Sequence, residues 1–264
     1  MRLTIIGCSG SMSGRSAAAS AYLLQCDDYQ DGKIRTYSAM LDFGPGAMGQ
    51  SLKYLDPADL DAMVFSHLHT DHCADIVGMQ VYRRWFPGGP LPRVDVFAPQ
   101  DGLHRTRQVS GDREDETYEG EFSFHDIAPG GVIEVGPMRF EFFGAEHTVP
   151  AVGIRVSGPS ESNPDSYVIF GYTGDTDLCD PEVEMAMGAD LLLSECAFED
   201  GRDEVRGVHM TGSRAGTLAE RAGASRLLLT HLQPWTDPEK VRRAAEQVYA
   251  GPVHCVEPGE TFVI

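Results

Sequence analysis

The chain has 264 residues, is 42% apolar and carries a formal charge of −19. That length can bury a sizeable core, and no apolar run approaches the roughly 20 residues needed to cross a bilayer. So acidic a chain lacks the clustered lysines and arginines of a nonspecific nucleic-acid surface, which makes stable nucleic-acid binding an unfavoured reading.

From the start, residues 3–7 alternate like a strand, with no long apolar stretch before a small-residue cleavage site, so no secretory signal is expected. A glycine-rich turn over 7–14 precedes strands at 21–25 and 37–42, and a helix is expected over 47–55. The apolar run 62–65 reads as a strand and 75–86 as a helix, followed by a strand at 94–98 and a polar, acidic surface loop at 110–121. Strands follow at 132–135, 139–143, 151–156 and 167–172. The last third alternates strand (190–194), helix (213–222), strand (226–230), helix (238–249) and strand (261–264). Meanders mixed with β/α units predict two mixed sheets with helices on their outer faces. No linker or low-complexity segment divides the chain, so residues 1–264 read as one domain. The six cysteines are scattered with no Cys-x-x-Cys pair. They read mostly as small buried residues in a reducing, cytoplasmic setting, Cys73 among them as packing beside the site.

The densest chemistry lies in Ser66-His67-Leu68-His69-Thr70-Asp71-His72. In extended backbone, side chains two apart share a face, so His67 and His69 can point at one ion. Asp71 and His72 fall where the chain turns and can reach a second. Imidazoles and a carboxylate packed so closely are poor core material unless something coordinates them. Downstream, His147, Asp175 and His231 each follow a strand-like run, and His209 precedes a helix. Strand ends present side chains to a shared cleft. His104, His125 and His254 have no motif around them and read as structural.

His-x-His-x-Asp-His, the later single histidine, the Gly-Asp-Thr aspartate and the final Thr-His arrive in the order of metallo-β-lactamase-fold hydrolases. The chain resembles that family over essentially its whole length, and within it the tRNase Z-like phosphodiesterase branch. The resemblance implies an α+β fold, a four-layer αβ/βα sandwich with metals at one edge of the paired sheets. It implies two divalent cations: His67, His69 and His147 on the first, Asp71, His72 and His231 on the second, and Asp175 bridging. Imidazole with a few carboxylates suits zinc first, with manganese or iron as alternatives. Leu193-Ser194-Glu195 resembles the branch's His-Glu-Ala-Thr segment and aligns Glu195 with its glutamate, although Ser194 stands where many relatives have histidine. Val208-His209-Met210-Thr211 resembles the His-Ser-Thr loop and aligns His209 with its catalytic histidine. The implied reaction is attack on phosphorus by a hydroxide shared between the cations. His209 would contact a phosphoryl oxygen or protonate the leaving group, Glu195 would orient His209, and Asp71 would help manage the nucleophile's proton. The Ser9-Gly10-Ser11 turn offers backbone amides to substrate, or is a plain tight turn.

His147 and Asp175 are 28 positions apart (175 − 147), room for two strands and a turn but not for the arm with which tRNA-processing members grip tRNA. The branch's Pro-x-Lys-x-Arg-Asn loop is also missing. The chain looks closer to short armless relatives that include atypical bacterial cyclic-nucleotide phosphodiesterases. It shares with them Cys8-Ser9-Gly10-Ser11, Tyr82-Arg83-Arg84-Trp85 and the 229–236 segment. The expected substrate is a small phosphodiester, 3′,5′-cyclic AMP first. Tyr82, Trp85 and Phe86 then either wall a base or pack their helix. A tRNA 3′-endonuclease, a thioesterase or lactonase on the same scaffold, and a metal-stabilised binding module remain alternatives. A homodimer is open, because relatives are often dimers.

Overall fold

A computed structural model describes residues 1–30 and 33–264. The first sheet holds β1 (Arg2–Ser9), β2 (Ala18–Ala19), β3 (Ala21–Gln30), β4 (Lys33–Leu41), β5 (Ala62–Val64), β6 (Val94–Pro99) and β7 (Phe122–Ile127). The second holds β8 (Val132–Val135), β9 (Met138–Gly144), β10 (Val152–Pro159), β11 (Tyr167–Tyr172), β12 (Leu191–Glu195), β13 (Leu227–Thr230) and β14 (Val253–Cys255). A last strand, β15 (Thr261–Val263), returns to pair with β1. The sheet orders are β15-β1-β3-β4-β5-β6-β7, with β2 beside β1, and β14-β13-β12-β11-β10-β9-β8. Each sheet is antiparallel at one end and parallel at the other. The pairs β4–β5, β5–β6 and β6–β7 run parallel in the first, as do β11–β12, β12–β13 and β13–β14 in the second.

Side-chain alternation sorts the core into three layers. Tyr22, Leu24, Leu41 and Val64 face Ile154, Phe170, Leu191 and Leu193 between the sheets. The intervening residues Leu23, Met40 and Met63 turn outward under α1 (Ala47–Ser51), α2 (Thr70–Cys73), α3 (Ile76–Arg84) and α4 (Gly102–Ser110). Leu192, Leu227 and Leu229 turn outward under α5 (Asp180–Ala186), α6 (Gly212–Ala222) and α7 (Pro238–Glu246). The result is the expected αβ/βα sandwich of two mixed sheets. In α6, Ala215, Leu218, Ala219 and Ala222 are buried, the i, i+3, i+4, i+7 stripe of a helix on a sheet. Asp237 caps α7 by accepting from Glu239 N, and Pro238 occupies its first turn. Among the described residues, no helix is long and apolar enough to cross a membrane.

Six of these elements were not expected: the short β2 and α2, and α4, β7, α5 and β14. α4 buries only Gly102 and Thr106, too thin a stripe to read, yet Asp101 caps it and Gly111 ends it. β7 carries the polar pair His125-Asp126 inside its span. α5 and β14 are too short for a clear period. The expected helices at 47–55, 75–86 and 238–249 end two to four residues early.

One buried charge stands apart. Glu182 on α5 is fully buried, and no group among the described residues hydrogen-bonds either carboxyl oxygen. It lies against Gly153, where a Cβ would sit 2.5 Å from Oε1, so the strand needs glycine there. Burial first, and the Glu195 carboxylate second, push its pKa well above the usual 4.5. An acid whose folded pKa is raised gives full stability below its unfolded pKa and loses it as pH rises toward the folded value. Each tenfold change in proton affinity is worth about 1.4 kcal/mol. Glu182→Gln is therefore expected to melt with the wild type near pH 4.5 and about 3–6 °C above it at pH 8. A Tm difference that stays constant from pH 4.5 to 8 would refute the buried-acid account.

Candidate metal centre

The chain brings its candidate residues together at one sheet edge. β4, β5, β9, β11, β12 and β13 all point their C-terminal ends there, and the connections leaving them carry the polar groups. Asp42 follows β4. His67 and His69 lie beyond β5, and α2 holds Asp71 and His72. His147 follows β9, Asp175 follows β11, Glu195 ends β12 and His231 follows β13. His209 lies in the loop before α6.

Three groups of donor atoms form, and two of them match the expected metal sets. His67, His69 and His147 make one; Asp71, His72, Asp175 and His231 make the other, each with its donors within 4.8 Å of one another. In the first, Nε2 of His67 and Nε2 of His147 each stand 3.1 Å from Nδ1 of His69. In the second, Asp175 lies 3.1 Å from His72 Nε2 and 3.3 Å from His231 Nε2, and Asp71 lies 3.5 Å from His72 Nε2. Asp175 also reaches to 3.7 Å from His67 Nε2, so it stands between the groups.

The far side of each ring decides which atom faces inward. His147 Nδ1 donates to the Val208 carbonyl at 2.8 Å, and His72 Nδ1 donates to Asp42 at 2.7 Å. Ser66 Oγ donates to Asp42 at 2.7 Å and sits 3.1 Å from His67 Nδ1. Ser20 Oγ sits 2.9 Å from His231 Nδ1. With those protons outward, His67 and His147 both aim a lone pair at His69 Nδ1. That nitrogen carries at most one proton and can serve only one of them, whereas a cation between the three rings serves all. A tetrahedral zinc with bonds of about 2.0–2.1 Å sets its nitrogens about 3.3 Å apart, close to the observed spacing. His72 Nε2 and Asp175 Oδ1 are buried and hydrogen-bonded to nothing among the described residues. The donor set fits divalent metal ions.

Electrostatics agree. Burial and the neighbouring rings hold His67 well below the usual imidazole range, against the opposing pull of Asp175. Burial likewise lowers His231. Burial also opposes charge on Asp71 and Asp175, but the facing histidines keep both carboxyls below the usual range.

His209 completes the cleft. Its Nδ1 is 2.9 Å from Glu195 Oε1 and 3.8 Å from Asp175 Oδ2. Burial pulls its pKa down, but the Glu195 carboxylate wins and lifts it to about 9. Glu195 is itself fixed by Thr176 N at 3.0 Å and Ala197 N at 2.9 Å. Ser194 is buried and donates to the Glu195 carbonyl.

One expectation fails. Tyr82, Trp85 and Phe86 do not wall the cleft. Tyr82 Oη bonds Asp56 and Arg83 bonds the Pro57 carbonyl, placing this end of α3 below the start of β5, while the histidines lie beyond its finish. Trp85 is 74% exposed, so core packing does not explain it either. The Ser9-Gly10-Ser11 turn takes the second of its two readings, a plain tight turn: Gly10 N bonds Leu232 O at 2.9 Å, and Ser11 N faces His231 Nε2, a donor of the second group, at 3.2 Å. A Cβ on Gly10 would fall 2.1 Å from the His231 carbonyl, so the turn is a packing device that seats His231. Cys73 behaves as expected, buried with Sγ against the Leu68 carbonyl. His104, His125 and His254 lie outside the cleft, on Gln108, Asp95 and Glu260.

The sequence reading missed the residues behind the donors. Asp42 is fully buried and gathers Ser66 N, Ser66 Oγ, His72 and Tyr172 Oη. Its available signal was a lone carboxylate closing a buried apolar strand.

A family model described as "Beta-lactamase superfamily domain" matches residues 39–232. An uncharacterized protein of Mycobacterium leprae, ML1173, is 35% identical over 100% of this chain and 89% of its own length. The crystal structure of the metallo-β-lactamase fold protein YhfI from Bacillus subtilis superposes with a TM-score of 0.84 at 28% identity, covering 99% of this chain and 98% of that one. A ribonuclease Z of Methanopyrus kandleri is 26% identical over 80% of this chain and 82% of its own.

Proposed function

This chain belongs to the β-lactamase superfamily of metallo-β-lactamase-fold hydrolases, and from that premise we propose that it is a dinuclear phosphodiesterase acting on a small substrate, 3′,5′-cyclic AMP first. The observation that carries the reading is the Glu195–His209 pair set beside two donor groups that share Asp175. His67, His69 and His147 would hold one cation and Asp71, His72 and His231 the other, with Asp175 between them. Zinc suits these donors best, and manganese or iron are also compatible. Bound there, such cations supply an activated water and charge neutralisation at the phosphoryl oxygens.

The chain's own groups do the rest. Glu195 holds His209 Nδ1, which leaves Nε2 to face the substrate. A cationic His209 there binds a phosphoryl oxygen or passes its proton to the departing alkoxide. Asp71, less buried than Asp175, is placed to take the proton of the attacking water. Asp42, through His72 and Ser66, keeps the donor atoms aimed before substrate arrives.

The similarity to a ribonuclease Z favours precursor tRNA as the second reading. Against it, β10 and β11 are joined by the short loop 160–166, closed by Ser160 N on Ser166 O, with no arm, and the net charge is −19. Six free cysteines suit a reducing cytoplasm. Zinc- and manganese-loaded protein should be assayed on cyclic AMP, cyclic GMP, a chromogenic phosphodiester, precursor tRNA and an acyl thioester. Cyclic AMP turnover is expected to lead. Cleavage of the chromogenic diester alone would remove the cyclic-nucleotide assignment, and turnover of the thioester alone would remove phosphodiester chemistry.

A further inference from the structure

We infer that Asp177 and Arg214 form a positioning pair that ties three loops together and sets His209 in register with the metal groups. The pair rests on the phosphodiesterase reading for its kinetic consequence, but not for its structural one.

Asp177 follows Asp175 by two residues, yet its side chain points away from the donors. It is fully buried, and its carboxylate is saturated. Oδ1 accepts from Arg214 Nη1 and Leu178 N, both at 2.7 Å. Oδ2 accepts from Gly207 N at 2.8 Å and from Arg206 Nε. Its backbone N donates to the Glu146 carbonyl at 2.9 Å, forming an isolated antiparallel bridge one residue before His147. Arg214, on α6, uses the same Nη1 to donate to the His209 carbonyl at 3.0 Å. Asp177 thus joins three loops: its backbone N holds the loop that carries His147, it sits in the loop of Asp175, and its carboxylate holds the loop of His209 through Gly207 and Arg206. Gly207, which it holds, directly precedes the Val208 carbonyl that accepts from His147 Nδ1.

A buried carboxylate with two guanidinium partners is a costly way to fill space, because breaking it strands a charge. Here the bonds fall on the Asp177 loop itself, on the 206–209 loop and on α6, whose Arg214 also holds the His209 carbonyl, so the arrangement fixes relative positions. The two halves of the pair should separate experimentally. Arg214 touches the His209 carbonyl but none of the Glu146 contacts. The Asp177 carboxylate holds Gly207 as well, and so reaches His147 through the adjoining Val208 carbonyl.

The test is a set of full-length variants measured for zinc affinity by chelator competition, for amide exchange over residues 206–209, and for kcat and KM on a chromogenic diester. Arg214→Met is expected to speed exchange at 207–209 and lower kcat at least tenfold, with KM and zinc affinity within about twofold. Arg214→Lys should recover part of the kcat. Asp177→Asn should lower both kcat and zinc affinity, each by about 10- to 100-fold. Unchanged exchange and kcat in Arg214→Met would overturn the proposal. So would equal loss of zinc affinity in the Arg214 and Asp177 variants, which would make the pair general structural support. Arg214→Met keeps the other Asp177 bonds, so it decides the point even where Asp177→Asn melts too low to assay. If the wild type cleaves no phosphodiester, the functional reading falls, and exchange and zinc affinity still judge the pair.

Discussion

Replacing His209 by alanine is expected to lower kcat on cyclic AMP about 100- to 1000-fold while zinc content and fold stay intact. The fold is safe because Glu195, the partner left behind, keeps hydrogen bonds from Thr176 N and Ala197 N. The neighbouring Phe198 ring meets His209 only edge-on, at 5.0 Å between centroids. Zinc is safe because His209 belongs to neither of the donor groups assigned to the cations and clusters instead with Glu195 and Asp175. The informative comparison is between leaving groups. An alkoxide needs a proton as it departs and a nitrophenolate does not, so the loss should be much smaller on a nitrophenyl diester. Equal losses on both substrates would remove His209 as the leaving-group acid and leave it only a phosphoryl contact. Intact cyclic AMP turnover would remove it from the reaction.

Asp175→Ala should have the larger effect, a fall in kcat of more than about 1000-fold together with loss of at least one cation. Asp175 faces both donor groups at once, within 3.7 Å of His67, His72 and His231. Without it, the mutual repulsion of any two cations loses the anion placed between them. Wild-type protein should show a Tm that falls on chelation, since a cation that binds the folded chain more tightly than the unfolded one stabilises it. The variant's Tm should respond much less. Full metal content and unaltered turnover in Asp175→Ala would refute the bridging assignment, and a chelation response equal to wild type would show that both cations hold without it.

The donor side of this architecture was readable because metal ligands repeat residue types seldom spent elsewhere. His67, His69 and His72 stand so close in sequence that no core explains them, and Asp175 and His231 close strands whose apolar runs are plain. The layered fold was legible for a similar reason: Leu23 against Leu24, or Leu192 against Leu193, alternates between two cores in successive residues. What supports the donors was not legible. Asp42 and Asp177 look like any acidic residue at a turn, and their roles exist only when strands from distant parts of the chain meet. Tyr82 and Phe86 misled because proximity in sequence to the motif says nothing of helix direction. α3 starts at the cleft and carries its aromatic end away from it. α4 escaped notice because a helix resting on glycine and threonine leaves no apolar stripe.

Each donor group draws on both halves of the sandwich. His67 and His69 leave the first sheet and meet His147 from the second, and Asp71 and His72 meet Asp175 and His231 in the same way. An ion held there works as a rivet across the seam between the two slabs. Scarcity of metal would then reach beyond idle catalyst: it would loosen the join itself and hand the chain to proteolysis, so that the amount of protein in a cell follows its metal supply.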